Sequence, residues 1–457
     1  MRRQVPEDLL FSRRDELKII LPLIAEQFLA ILVGMADSIM IAGVGETAVS
    51  AVSLVDQVNV LMINLFSAVA TGGAVIAGQY LGQKNDRSAS HVADQLALVQ
   101  LVLSGVITVL LFTLRAPVLH LIFGAVEPQV MRYAETYMAI TALSLPFLAL
   151  YNSAAAVFRT MADARTPMLI SILMNAVNIA GNALLIYGFH MEVEGAAIPT
   201  LVSRIVAAVV AMALLFDSRR QLHFSRPISL KPDFSAIKRI LSIGIPSGVE
   251  NTMFQFGKLL VVGMIATFGT ASIAANAVGN AIGVFQILPG IAIGMASVPM
   301  ISRCYGAGKP DQVRYFGRQL VSLTYLSNIG INLLFTALIP VILRIYHLEA
   351  ETSSIATWVL LFSAVVSSVL WPAAFMLPNV LRATGDVKYT MVVSVASMWM
   401  WRVLGSLLLG KTMGLGLKGV WYGMALDWIF RGSLYYVRFF GKKWNEHIRH
   451  GAEQAKT

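Results

Sequence analysis

Ionisable and oxygen-bearing side chains set inside apolar sequence are where this chain could do chemistry. Asp37 stands in GMADSIMIAG among apolar neighbours. A charge in hydrocarbon is costly unless it is paired or hydrated, so such a residue marks an ion or proton site. The plainer reading is a carboxylate hydrogen-bonded to neighbouring Ser or Asn. Glu26 lies eleven residues earlier, close to three helical turns, which puts both carboxylates on one face about 16 Å apart. Asn178 and Asn182, in MNAVNIAGNALL, sit one turn apart, and Thr200 follows in the next apolar block. Neutral oxygens beside one carboxylate suit a hard cation such as Na⁺. Interhelical hydrogen bonding would use the same residues.

A second cluster is mixed in sign. Glu250 is followed by Asn251 and Gln255, with Lys258 two turns further along. Arg402 and Asp427 stand in two later apolar blocks, and Arg431 is one turn beyond Asp427. Asp427 could pair with either arginine, which would merely pin two helices. Glu250 is expected to pair with Arg402 or Lys258, or to meet a cationic substrate when that pair opens. An arginine there already supplies the charge a cation would bring, so no coupling Na⁺ is expected in this cluster. Asp56 and Arg204 are equally open to structural or functional use, and the pairing of Arg204, Lys258, Arg402 and Asp427 is left open by the sequence.

Other chemistry has little support. The seven histidines show no metal-ligand spacing, and the single cysteine, Cys304, forms no internal disulfide or thiolate cluster. No phosphate-binding Walker loop occurs, so this chain alone is not expected to use ATP. GLGLKG at 414–419 matches a dinucleotide fingerprint only on paper, because no strand precedes it. No enzyme constellation and no cofactor are expected.

The elements that must position these groups are membrane helices. The 457 residues are 57% hydrophobic and 13% charged, against roughly a quarter charged in soluble domains, and the mean hydropathy is +0.70. Twelve apolar blocks run near 17–42, 48–80, 90–115, 132–158, 166–189, 194–216, 236–268, 272–300, 316–345, 354–381, 387–411 and 417–440. Each is long enough to span about 30 Å of hydrocarbon. The net charge of +10 could suggest nucleic acid, but its placement does not. Even-numbered connections are basic, as at Lys84 and Arg87, Arg159 and Arg165, Arg219 to Arg239 including Arg226, Arg303 to Arg318, and Arg382 and Lys388. Both tails are basic too, including Arg2 and Arg3 in front and Lys442 and Lys443 behind. The odd connections 43–47, 190–193 and 267–271 hold no Lys or Arg; Arg115 and Arg132, Arg344, and Lys411 and Lys418 are the exceptions to the alternation. This positive-inside pattern predicts cytoplasmic termini.

The blocks fall into two similar halves. A shift of 224 residues carries Leu17, Pro22, Glu26, Gly82 and Gly195 onto Leu241, Pro246, Glu250, Gly306 and Gly419. A shift of 223 pairs Arg159 with Arg382 and Asp163 with Asp386. Under the longer shift Arg402 takes the place of Asn178. The expected fold is an all-α integral membrane protein of twelve transmembrane helices in two pseudo-symmetric six-helix lobes: residues 1–216, then a cytoplasmic linker at 217–235, residues 236–440, and a basic tail at 441–457. Six spans per half keep the copies in one orientation, and transporters bind their substrates where such repeats meet.

With these residues in view, the chain resembles the multidrug and toxic compound extrusion (MATE) family, of the bacterial NorM and DinF kind. The carriers are LPLI with DSIMIAGVG, the QYLGQ turn, FRTMADARTPM, the spaced asparagines, VEGAAIPT and GIPSGVEN. The resemblance implies two V-shaped lobes in the bacterial inner membrane. It also implies antiport of bulky, cationic or amphipathic compounds against Na⁺ or H⁺, without cofactor or nucleic-acid partner, by what is expected to be a monomer. The first-lobe cation site it implies is Asp37, Asn178, Asn182 and Thr200, and Glu250 matches the acid of span 7 used by one branch. That branch also uses an aspartate in span 10. Here 354–381 contains no acid, and Trp371 falls at or near the position. A related flippase for lipid-linked sugars is the alternative; it should line its cavity with several basic residues, which Arg204, Lys258 and Arg402 supply in part.

Overall fold

Hydrocarbon offers backbone groups no water, so apolar blocks must close their hydrogen bonds internally. In the computed structural model of the protein, which describes residues 8–124, 126–224 and 231–454, each block is helical and no strand occurs among the described residues. Arg2, Arg3 and Arg226 of the basic segments lie outside the described residues. The spans, numbered in order, are Arg13–Ala42, Glu46–Gly82, Asp86–Thr113, Pro128–Leu143 with Leu145–Thr160, Arg165–Asn182 with Ala183–Gly188, and Glu194–Leu215. Spans 7 to 12 are Phe234–Ala266, Thr270–Gly306, Pro310–Tyr346, Ala350–Val369 with Pro372–Met376 and Leu377–Ala383, Val387–Ser397 with Met398–Leu404 and Leu407–Thr412, and Gly416–Phe440.

Among the described residues nine helices are long and apolar enough to cross a membrane, and the two pieces of span 4, bent by 45°, make a tenth. Spans 7 and 12 complete the twelve. They have the length but carry Glu250 and Lys258, and Asp427 and Arg431. The bend in span 4 falls at Ser144, two residues before Pro146, where proline removes a backbone donor.

The internal repeat is visible in the backbone. Gly45 and Gly269 start spans 2 and 8 with φ of 138° and 93°, a region glycine adopts without steric cost. The wide π-helical turn Ala183–Gly188 that ends span 5 recurs as Leu407–Thr412 at the end of span 11. Spans 10 and 11 have further π turns at Pro372–Met376 and Met398–Leu404.

Two compact units emerge, Leu17–Gly248, and Met1–Glu16 with Val249–Thr457. They do not divide at the 217–235 linker expected from the sequence, and there are local reasons. The first half of span 7 packs on span 2 through glycine: a Cβ on Gly244 would lie 3.1 Å from the Val69 backbone. The start of the chain packs instead on span 9, where Gln319 donates to Glu16 at 2.7 Å and Phe11 meets Phe316 edge-on. The tail also differs from the reading of a bare basic segment. Lys442–Gln454 is a helix anchored by the fully buried Trp444, whose Nε1 donates to Thr384 at 3.1 Å. The described end of the linker is strapped to span 3: the Asp233 N–H donates to Gln95 Oε1 at 2.9 Å, Gln95 Nε2 donates to the Lys231 carbonyl at 3.0 Å, and the Asp233 carboxylate meets His91 at 3.0 Å. The His91 contact holds the Asp233 carboxyl below its usual range.

Candidate functional site

In the first unit the expected cluster forms. Span 1 brings Asp37 against span 5, where the Asn182 amide donates to its Oδ1 at 2.8 Å. The amide orientation that satisfies Asn178 has its nitrogen donating to the same carboxylate, at 2.9 Å to Oδ1 and 3.3 Å to Oδ2, while its oxygen accepts from Thr200 at 3.2 Å. That orientation is assigned from the hydrogen-bond network. Asn178 and Asn182 are buried, and Asp37 is half-buried. Two amides of span 5 thus meet the Asp37 carboxylate of span 1, and Thr200 of span 6 holds one of them. Among the described residues no Lys or Arg forms an ion pair with Asp37.

Beyond this set the cluster extends in ways the sequence left open. Asp56 of span 2 lies near enough to act on the charge of Asp37, and Arg204 of span 6 acts on Asp56. Arg204 donates to Ser144 Oγ at 2.6 Å, at the bend of span 4. Tyr137, buried beside Thr200, was missed; an aromatic in an apolar run carries no signal of its own. The Oδ1 of Asn182 is buried without a hydrogen-bond partner. With the Asp37 carboxylate, the Thr200 hydroxyl and an amide oxygen turned inward, it gives a donor set of the oxygen type that Na⁺-like ions take. A proton on Asp37 is the other way to neutralise the site.

Glu26 does not belong to this cluster. Its Oε1 accepts from Arg159 Nη2 at 2.6 Å, tying span 1 to the end of span 4. The repeat mate is built alike: Glu250 Oε1 accepts from Arg382 Nη2 at 2.6 Å, tying span 7 to the end of span 10. This corrects the expectation that Glu250 pairs with Arg402 or Lys258. Eight residues of helical rise separate Glu250 from Lys258 by about 12 Å, while the helix carrying Arg382 ends beside the acid. Glu250 also accepts from Ser394 Oγ at 2.6 Å, and that hydroxyl meets Tyr435. Asn251 is half-buried, and among the described residues no hydrogen bond ties it to Glu250. The available signal was the repeat itself, since both Glu–Arg pairs occupy matched positions.

Arg402 turns instead toward Asp427. Fully buried Asp427 holds Arg431 at 3.0 Å and Arg402 at 3.7 Å and accepts from Ser397 at 2.6 Å. The 3.7 Å separation is too long for a hydrogen bond, and Arg402 Nε and Nη1 are left without partners. Phe254 lies under both guanidinium groups, at 5.4 and 5.5 Å. Trp371 is buried against Gly290. Among the described residues no cluster of three His, Cys, Asp or Glu side chains could hold a metal ion.

Comparison with known proteins places this architecture. The sequence profile of MatE matches residues 22–184 and, again, residues 246–408. The chain belongs to the MatE family. The two matches are displaced by the same 224 residues as the internal repeat and cover spans 1–5 and 7–11. The Thermotoga maritima protein named "Probable multidrug resistance protein NorM" is 26% identical over 459 residues, covering 100% of this chain and 97% of its own. The Bacillus subtilis "Uncharacterized transporter YisQ" is 28% identical over 433 residues, 93% of each chain. An outward-facing structure of a multidrug resistance MATE family transporter of the MOP superfamily superposes with a TM-score of 0.87 at 19% identity, covering 96% of each chain. This MatE protein is therefore a multi-pass membrane protein of a multidrug efflux transporter family, with the twelve-helix fold of that family. Its family and relatives are transporters rather than enzymes.

Proposed function

We propose that this MatE protein is a secondary active antiporter of the bacterial cytoplasmic membrane. It exports bulky amphipathic compounds in exchange for H⁺ or Na⁺ taken up at Asp37, with both termini in the cytoplasm. The observation that carries the reading is a carboxylate within span 1 that accepts from two neutral amides, one of them held by the Thr200 hydroxyl, with no cationic partner among the described residues. Such a group is costly to hold charged. A proton or a cation relieves that cost, and both need the same oxygens.

Asn178 and Asn182 suit this exchange. With Asp37 charged and alone, their N–H groups point at it. With a cation bound, rotated amides present oxygen. Coupling then follows from mass action: a ligand shifts a two-state equilibrium only by its differential affinity for the two states. Ion binding at Asp37 alters the charge of the first lobe and so the packing of spans 1, 5 and 6, and cargo leaves as the ion enters. The cargo inferred from the resemblance is cationic, and the acids Asp37 and Asp56 of the first lobe would attract it.

The test is dye efflux from proteoliposomes with a Na⁺ gradient and a pH gradient imposed separately. Ethidium efflux under at least one gradient is expected. Efflux under neither, with protein shown to be folded and inserted, removes the antiport reading.

A further inference from the structure

The second unit contains a pocket in which the polarity of the first-lobe site is exchanged. Its walls include Lys258, Asn276, Asn280, Arg402 and Met424, and its volume is about 40 Å³. The repeat relates this pocket to the cation site residue by residue. Shifted by 224, Asp37 falls on Val261, Asp56 on Asn280, Asn178 on Arg402 and Thr200 on Met424. All four mates line the pocket. Both acids have thus become uncharged and one amide has become a guanidinium. Lys258, the mate of Gly34, adds a second cation.

Charges on the neighbouring elements do not cancel these two. Glu250 is held by Arg382, and Asp427 is closer to Arg431 than to Arg402. Arg402 and Arg431 therefore share one carboxylate, that of Asp427, and Lys258 adds a further cation to the pocket. Arg402 keeps two donor nitrogens, Nε and Nη1, without partners. Among the described residues no acid pairs with Lys258. Lysine in a membrane span faces a bundle interior or a water-filled cavity rather than lipid tails, and Lys258 lines this pocket. Asn276 and Asn280 offer further amide donors, and Val261, Val420 and Trp421 form an apolar wall.

We propose that this pocket binds an anionic oxygen group (carboxylate, sulfonate or phosphate) borne on an apolar body. A water needs roughly 10–15 Å³ of such space, so the volume admits a head group and leaves the body outside against the apolar wall. Arg402 supplies the donors of its guanidinium, which match an oxyanion in geometry, and Lys258 supplies a point charge. The inference rests on the exporter reading only in taking the bound group as part of the cargo, which is then an organic anion or a zwitterion. The same chemistry could be met by an anionic lipid headgroup.

Binding is measured without any gradient, so that it is independent of coupling at Asp37. The purified full-length protein in phosphatidylcholine nanodiscs is titrated into fluorescein, an amphipathic anion, and into ethidium, a cation, and followed by anisotropy. Fluorescein is expected to bind, and Lys258→Gln and Arg402→Gln should each weaken it tenfold or more while ethidium binding changes less than twofold. Melting curves of the variants show whether they are folded; Lys258→Gln removes no ion pair and keeps the test usable if Arg402→Gln unfolds. Discs containing phosphatidylglycerol identify the source: loss of fluorescein binding there supports a lipid headgroup, and unchanged binding supports a free organic anion. Fluorescein that does not bind the wild type, or that binds folded Lys258→Gln as tightly, overturns the proposal. A wild type that binds fluorescein but moves no dye under either gradient would instead remove the antiport reading and leave the site.

Discussion

Asp37 differs from Glu26, Glu250 and Asp427 in its company. Glu26, Glu250 and Asp427 each accept from or face a guanidinium, whereas Asp37 is met by two amides. In the proposed exchange, its charge state follows ion and proton supply. Asp37→Asn keeps the shape and one acceptor oxygen but cannot be charged. It is expected to abolish gradient-driven ethidium efflux with expression and melting temperature close to wild type. Normal efflux by that variant under both gradients would show that coupling lies elsewhere. Glu250→Gln tests the opposite case: the loss should fall on stability or drug binding, with the Na⁺ and pH dependence of transport unchanged. A change in Na⁺ dependence from that variant alone would reassign the second lobe as a coupling site.

Among the buried polar ties between helices, two ion pairs stand at matched places of the repeat. Arg159 and Arg382 each fasten the end of one span to the middle of another through a 2.6 Å ion pair. Removing one partner strands the other charge in a poor solvent, at a cost of roughly 3–5 kcal/mol for a buried pair. Arg159→Gln and Arg382→Gln should therefore lower the melting temperature clearly, and pairing each with the matching Glu→Gln should recover part of the loss. A double variant as unstable as the sum of its singles would mean the two groups do not interact. Glycine does the comparable job where backbones touch. A Cβ on Gly419 would lie 2.5 Å from the Gly410 nitrogen, so Gly419→Ala should push span 12 off the end of span 11. Overpacking of this kind costs about 1–3 kcal/mol, read as a lower melting temperature; an unchanged one would contradict the packing.

For the chain as a whole, orientation in the membrane is the property that charge placement predicts most directly. Basic residues gather at the even-numbered connections and the termini. Single cysteines placed in the 217–235 linker and in the 43–47 turn, in a background with buried Cys304 replaced by serine, should react with an impermeant maleimide from opposite faces. Labelling of both from one face would overturn the topology and, with it, the direction of export.

The sequence by itself determined the twelve helical spans and the two-fold repeat, and it pointed to Asp37, Asn178, Asn182 and Thr200 as one candidate set. The reasons are local: backbone in hydrocarbon has to be helical, and a lone carboxylate such as Asp37 stands out against an apolar run. The partners of the other ionisable groups were decided only in three dimensions. Arg159 and Arg382 read as basic turn residues, yet their long side chains reach back to Glu26 and Glu250. Tyr137 joins the Asp37 cluster through the packing of span 4 against span 6. Arg402 lies within the π turn at Met398–Leu404, and no spacing of residues along span 11 announces that turn. Spacing fixes which residues share a helix face; which side chain on a neighbouring helix meets that face depends on bends, wide turns and glycine contacts that exist only once the helices are packed.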